Sequence, residues 1–201
     1  MREVEVKAVI ADEAAARGRV EAAGGVLTFA GQMQDRRYDT TDRWLATRDC
    51  VLRTRVYRGA DGDRAELHWK GASSLDRGYK VREELSTAAA DPAAVAAILE
   101  RLGYMVTREI DRTVAQYALD GGGGGAILRF ERYPRMDTLL EIEGEPAAIE
   151  RAVALAGLAR GDFSGDRLTD FVVRFERRTG QRAALSDREL RGDYRYAVTD
   201  V

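Results

Sequence analysis

The sequence predicts an α+β fold: an eight-stranded antiparallel β-barrel with a charged interior, covered by helices on its outside. Three observations carry this. Eight segments have strand character, most with period-two alternation: residues 2–10, 34–40, 50–58, 65–71, 79–86, 107–119, 126–133 and 138–144. The links at 59–63 and 121–125 are short and glycine-containing, which favours antiparallel pairing. Six of the strands carry charge on one face and mostly apolar residues on the other, and Ala-rich helices are available to cover the apolar side.

In order along the chain, EVEVK puts Glu3, Glu5 and Lys7 on one face and Val4 and Val6 on the other. LRTR sets Arg53 and Arg55 opposite Leu52 and Thr54. ELHWKG sets Glu66, His68 and Lys70 opposite Leu67 and Trp69. YKVREELS presents Lys80, Arg82, Glu84 and Ser86. ILRFERY presents Ile127, Arg129, Glu131 and Tyr133, and LLEIEG presents Glu141 and Glu143. Helices are expected over 12–23, 91–102, 146–158 and 166–178. Pro92 and Pro146 each follow an acidic residue, where a first helical turn tolerates proline. The fourth helix gathers Leu168, Phe171, Val172 and Phe175 on one face, and Ser186–Glu189 reads as a capping box for a short terminal helix. A barrel domain over 1–179, including that fourth helix, and an extension over 180–201 follow.

An ordinary sheet with its charged face in water would show the same alternation. Paired like charges argue for an enclosed lumen instead. Two carboxylates about 6 Å apart repel by roughly 3 kcal/mol at an effective dielectric near 20. Glu3 beside Glu5, and Glu141 beside Glu143, therefore call for a cation between them. Lys7, Arg53, Arg55, Lys70, Arg82, Arg112 and Arg129 supply donors for phosphate oxygens. Glu3, Glu5, Glu131, Glu141 and Glu143 supply hard oxygen ligands suited to Mg²⁺ or Mn²⁺. A polyphosphate needs both sets. The glycine run 121–125 lacks the Lys-Ser/Thr ending of a P-loop and reads as a hairpin tip. His68 is expected as a hydrogen-bonded wall residue, Tyr38 and Trp44 as core or rim packing, and Cys50 as structural.

Bulk properties exclude other classes. The 201 residues are 45% apolar and 33% charged, with 32 Lys and Arg against 34 Asp and Glu, so no general basic surface for a nucleic acid polymer is expected. One Cys and one His exclude a disulfide framework and a multi-His zinc site. The opening MREVE has no apolar core of a signal peptide, and no run of about 18 apolar residues would span a membrane, so a cytoplasmic location is expected.

The ordered set ExExK at 3–7, QDRRYDTTD at 34–42, LRTR at 52–55, Lys70 of HWKG, VREEL at 81–85, the basic strand around Arg112 and LLEIEG at 139–144 resembles the CYTH superfamily, the triphosphate tunnel metalloenzymes. The resemblance covers roughly residues 1–175. It implies an eight-stranded antiparallel tunnel with external helices and a small-molecule substrate such as tripolyphosphate, thiamine triphosphate, or the ATP of class IV adenylyl cyclases. It implies metal ligation by Glu3, Glu5, Glu141 and Glu143, with Glu131 in a position where the family often has Asp. It implies phosphate contacts from Lys7, Arg53, Arg55, Lys70, Arg82 and Arg112. Lys7, Arg53, Arg55, Lys70 and Arg82 are expected as catalytic residues, and Arg112, with Lys80, Glu84 and Arg129 from the same charged strand faces, as substrate-binding ones. The Ser-Tyr pair that many class IV cyclases carry near the C-terminus is replaced here by Arg167-Leu168-Thr169-Asp170-Phe171. A metal-dependent triphosphatase is the leading expectation. An adenylyl cyclase and a non-catalytic polyphosphate or nucleotide sensor are the alternatives, and a homodimer is left open.

Overall fold

The computed structural model describes residues 2–120 and 124–193, so part of the expected hairpin tip at 121–125 and the end of the 180–201 extension lie outside the described residues. Among the described residues there are nine strands: β1 (Arg2–Val9), β2 (Val26–Asp39), β3 (Val51–Gly59), β4 (Gly62–Lys70), β5 (Ser74–Asp76), β6 (Tyr79–Ala88), β7 (Met105–Leu119), β8 (Ala126–Arg132) and β9 (Leu139–Gly144). They run antiparallel in the order β1-β9-β8-β7-β2-β3-β4-β6-β5, and β1 also pairs with β6. That last pairing closes eight strands into a barrel and leaves β5 outside it. In this ring β1 and β2 are four strands apart in either direction, so they face each other across the lumen.

Two sequence expectations are corrected. β2 begins at Val26 rather than residue 34, and β5 was not anticipated. Gly31 hid the first half of β2, because a glycine inside a run reads as a break. Its reason is close approach: a Cβ at Gly31 would lie 2.1 Å from the carbonyl oxygen of Arg58 on the paired strand. β5 is only three residues long and carries no periodicity.

Alternation sorts the strands as expected. Val4, Val6, Leu128, Phe130, Leu140 and Ile142 point outward and are fully buried beneath α1 (Glu13–Ala22) and α3 (Pro146–Ala156), which supply Ala16, Val20, Ile149 and Val153. Asp12 caps α1 by accepting from the Ala15 amide at 2.9 Å, a contact worth about 1 kcal/mol. The helical coat covers only part of the barrel. α2 (Pro92–Arg101), which meets β3, buries Leu99 alone, and Leu85 of β6 stays 55% exposed.

Later elements complete the wall where strands part. Beyond Glu5, β6 no longer pairs with β1, and Ser164 takes its place with reciprocal backbone hydrogen bonds to Lys7 of 2.8 and 2.9 Å. Gly165 then packs on the start of β6, where a Cβ would meet the Lys80 nitrogen at 2.8 Å. α4 (Leu168–Thr179) buries Phe171, Val172 and Phe175, the latter two against Ile110. Among the described residues beyond 179, Ala184 pairs with Arg135 and Leu185 accepts from the Asp111 amide. The expected cap on α5 (Asp187–Arg191) is present, with Ser186 Oγ accepting from the Glu189 amide at 3.1 Å. No helix among the described residues is long and apolar enough to cross a membrane.

Candidate active site in the barrel interior

The lumen is a cavity of about 390 Å³ whose lining holds eleven Lys and Arg against nine Asp and Glu. All fourteen residues expected from sequence to build the site line it: Glu3, Glu5, Lys7, Arg53, Arg55, Lys70, Lys80, Arg82, Glu84, Arg112, Arg129, Glu131, Glu141 and Glu143. They are not uniformly mixed.

One wall is built by β2, β3 and β7 around a single carboxylate. Asp35 is 1% exposed. It receives two hydrogen bonds from Arg55 at 2.7 and 2.8 Å, one from Arg53 at 3.2 Å, and two from Arg112 at 3.2 and 3.3 Å. Burial would raise its carboxyl, but Arg55, Arg112 and Arg53 hold it well below the usual carboxylate range. Glu131 joins this network, accepting from Arg112 Nε at 2.8 Å and the Tyr133 hydroxyl at 2.6 Å. Neither Asp35 nor its neighbour Arg37, which also lines the cavity, was singled out from the sequence. Asp35, Arg36 and Arg37 are consecutive charges, so alternation gave no signal there.

The facing wall, built by β1 and β9, inverts that arrangement around a single ammonium. Lys7 Nζ lies 2.7 Å from Glu5 and 2.8 Å from Glu141. Burial would lower the Lys7 ammonium, but Glu141 and Glu5 hold it well above its ordinary value. Glu5 also meets Lys80 at 2.8 Å, and Arg129 reaches Glu141 at 2.7 Å and Glu143 at 2.8 Å. Burial works to raise the Glu5 carboxyl, yet Lys7 and Lys80 bring it down to about 2. Glu5 and Glu143 are direct cross-strand neighbours.

Between the walls, Lys70 joins Glu3 at 2.5 Å to Glu84 at 3.1 Å. Glu84 accepts from His68 at 2.7 Å, and the other ring nitrogen of His68 meets Glu66 at 2.9 Å, so the histidine is a bonded wall residue as expected. Arg82 differs from the other arginines. Its Nε and Nη2 point at the Gly71 carbonyl, and Nη2 also reaches the Asp49 carbonyl at 3.0 Å. Tyr38 is buried and Trp44 lies exposed under the Arg48 guanidinium, 4.2 Å from its ring centroid.

Among the described residues, no three Asp, Glu, His or Cys side chains stand close enough together to form a ready metal centre. The donor chemistry nonetheless fits a hard divalent cation. Glu3 Oε2 is buried with no hydrogen-bond partner. Burial and then the charge of Glu5 raise the Glu3 carboxyl, the signature of an anion short of countercharge. The remaining carboxylates of this wall are held by ammonium and guanidinium groups that a polyphosphate would itself attract.

Residues 1–145 match the family described as the CYTH domain. No curated protein matches the sequence significantly. Among solved structures, a protein from Pyrococcus horikoshii is 21% identical and superposes with a TM-score of 0.65 over 86% of this chain and 98% of its own. A candidate adenylate cyclase from Vibrio parahaemolyticus is 20% identical, with a TM-score of 0.67 over 85% of this chain and 97% of its own. A candidate adenylyl cyclase from Hippeastrum, described as having a dominant triphosphatase activity, is 20% identical, with a TM-score of 0.61 over 92% of this chain and 99% of its own. At these identities the likeness is one of fold.

Proposed function

We propose, from the premise that the chain belongs to the CYTH domain family, that it hydrolyses a triphosphate-containing small molecule with the help of Mg²⁺ or Mn²⁺. The observation that carries this reading is the opposition of two walls in one enclosed lumen, arginines gathered by Asp35 on one and carboxylates gathered by Lys7 on the other. The near balance of charge in the lining disfavours a bare polyanion, since nine carboxylates would repel it. It suits a polyphosphate that arrives with a divalent cation.

The roles follow from position. Arg53, Arg55 and Arg112 offer charge-assisted hydrogen bonds to phosphoryl oxygens. Lys7, Lys70 and Lys80 are compact charges able to exchange a carboxylate for a phosphoryl oxygen as substrate enters. That exchange, together with Arg129 turning from Glu141 and Glu143 to a phosphoryl oxygen, frees Glu3, Glu5, Glu141 and Glu143 to hold the cation, and Glu131 stays with Arg112 and orients it. Bound there, the cation would polarise the phosphorus under attack and acidify a water. The barrel keeps bulk water away from the reacting chain, which strengthens each of these contacts.

The reading is tested by incubating the protein with tripolyphosphate, thiamine triphosphate and ATP, with Mg²⁺ or Mn²⁺, and separating the products. Orthophosphate with the matching diphosphate is the expected outcome. Cyclic AMP and pyrophosphate from ATP would replace hydrolysis with cyclisation, and binding with no turnover on any substrate would leave a sensor.

A further inference from the structure

On β2, Arg37 stands in direct register with Arg53 of β3 on one side and with Arg108 of β7 on the other. Three guanidiniums therefore lie side by side across three strands, an arrangement in which like charges destabilise the sheet. Two of them have relief. Arg53 meets Asp35 at 3.2 Å and Glu84 at 3.7 Å, and Arg108 meets Glu189 of α5 at 3.7 Å. The Arg37 side chain makes no hydrogen bond or ion pair with any described residue, and its Nε is buried without a partner. Asp35 cannot serve it. Two carboxylate oxygens offer about four lone-pair sites, and Asp35 already accepts five hydrogen bonds. Burial, with the charges of Arg53, Arg108 and Arg112 added, pushes the Arg37 guanidinium down to about 9, so it remains charged at neutral pH. Arg37 lines the cavity.

A buried guanidinium that no neighbouring carboxylate serves points to an anion. We propose that Arg37 is a further substrate-binding residue, forming with Arg53 an anion subsite that takes one phosphoryl group of a polyphosphate chain. The inference rests on the triphosphate reading above and deepens it. A phosphoryl group supplies several acceptor oxygens at full charge, which is what a planar guanidinium with unused N–H groups can bind.

The probe is imidotriphosphate, a tripolyphosphate analogue whose P–N–P bridges resist hydrolysis, titrated calorimetrically with Mg²⁺ present into wild type and Arg37→Met. The expected result is binding weakened by about ten- to a hundred-fold, with partial recovery in Arg37→Lys. Without the probe, Arg37→Met should melt at the wild-type temperature or above it, because a buried charge with no partner has gone. Arg36→Met is the control on the outer face, where Arg36 meets Asp111 at 2.9 Å, and it should bind as wild type does. Equal affinity in Arg37→Met overturns the subsite. So does weakened binding that comes with a lower melting temperature and no recovery in Arg37→Lys, which marks a structural role. If binding depends on Arg37 but none of tripolyphosphate, thiamine triphosphate and ATP is hydrolysed with either metal, the subsite stands and the hydrolase reading falls. If wild type does not bind the probe, both fall.

Discussion

The β2–β3–β7 wall and the β1–β9 wall solve one electrostatic problem with opposite signs. On the first, three arginines converge on Asp35. On the second, two glutamates converge on Lys7, with Lys80 and Arg129 behind them. The surplus on each wall is what a ligand would meet: N–H donors on one side, carboxylate oxygens on the other. The walls also differ in how tightly they are held. Asp35 has more donors than it can use, whereas Glu3 has one oxygen with none. The Asp35 cluster is therefore fixed before any ligand arrives, and Glu3 is the carboxylate left open to a cation.

That contrast can be broken most directly at Asp35. Asp35→Asn removes the charge that three buried arginines share, and taking one partner from a buried ionic cluster costs about 3–5 kcal/mol. Urea denaturation should show a loss of that size. A loss under about 1 kcal/mol would mean that the arginines repack without their anchor.

Glu3→Gln should separate the two walls by function. The fold should keep its stability, because Glu3 is the interior carboxylate that burial and Glu5 already disfavour in its charged form. Turnover at saturating Mg²⁺ should fall by more than the ~100-fold that marks the upper end for an outer-shell partner of a metal site. Near-normal turnover would remove Glu3 from the metal-binding set.

Lys7→Met sharpens the comparison from the other side. It leaves Glu5 and Glu141 without their shared ammonium, although Lys80 and Arg129 remain. A loss of about 2–3 kcal/mol is expected, below the range for an anchor with no substitute. Added Mg²⁺ should restore melting temperature more in this variant than in wild type. Equal Mg²⁺ shifts in the two proteins would count against the carboxylate wall as a cation site.

The smallest effect is one of pH. The folded Glu5 carboxyl sits below its ordinary value of 4.5, so its contribution to stability is complete above that pH and is lost as pH falls toward about 2. Glu3 is raised, so its contribution has the opposite sign and wanes as pH rises past its ordinary value. Melting curves across this range should show Glu3→Gln gaining on wild type as pH rises. Parallel curves would mean that the Glu3 carboxyl is not raised in the folded protein.

Much of this site was legible because period-two alternation names a face once a strand is recognised. Glu3, Glu5 and Lys7, or Arg53 and Arg55, could be assigned together, and they share the lumen. Asp35 and Arg37 were not legible, because Arg36 between them is also charged and serves the outer surface through Asp111 and Glu109. A run of three charges gives no face, and only the cross-strand register shows which charges meet. Pairing partners were equally hidden. Alternation places Arg82 inside, but its engagement with the Gly71 and Asp49 carbonyls depends on the path of a loop. The partial helical coat was hidden too, since α1, α2 and α3 read alike but only α1 and α3 contribute to the main core cluster, while α2 buries Leu99 alone.

The closing pair β1–β6 has a consequence for how the molecule comes into being. β1 is made before the other strands of the barrel, yet Glu5 must wait for Lys80 and Glu143 before it has neighbours on both sides. Contacts between residues so distant in sequence form slowly, because a long loop must be ordered before they repay it. β2, β3 and β4 can meanwhile zip up as a nearby meander. During synthesis the arginine side therefore has a template early, while one edge of the carboxylate strand β1 remains unpaired until β9 has been made. A nascent chain stalled between β6 and β9 would display that edge, and β1 is the segment through which it would associate with other chains.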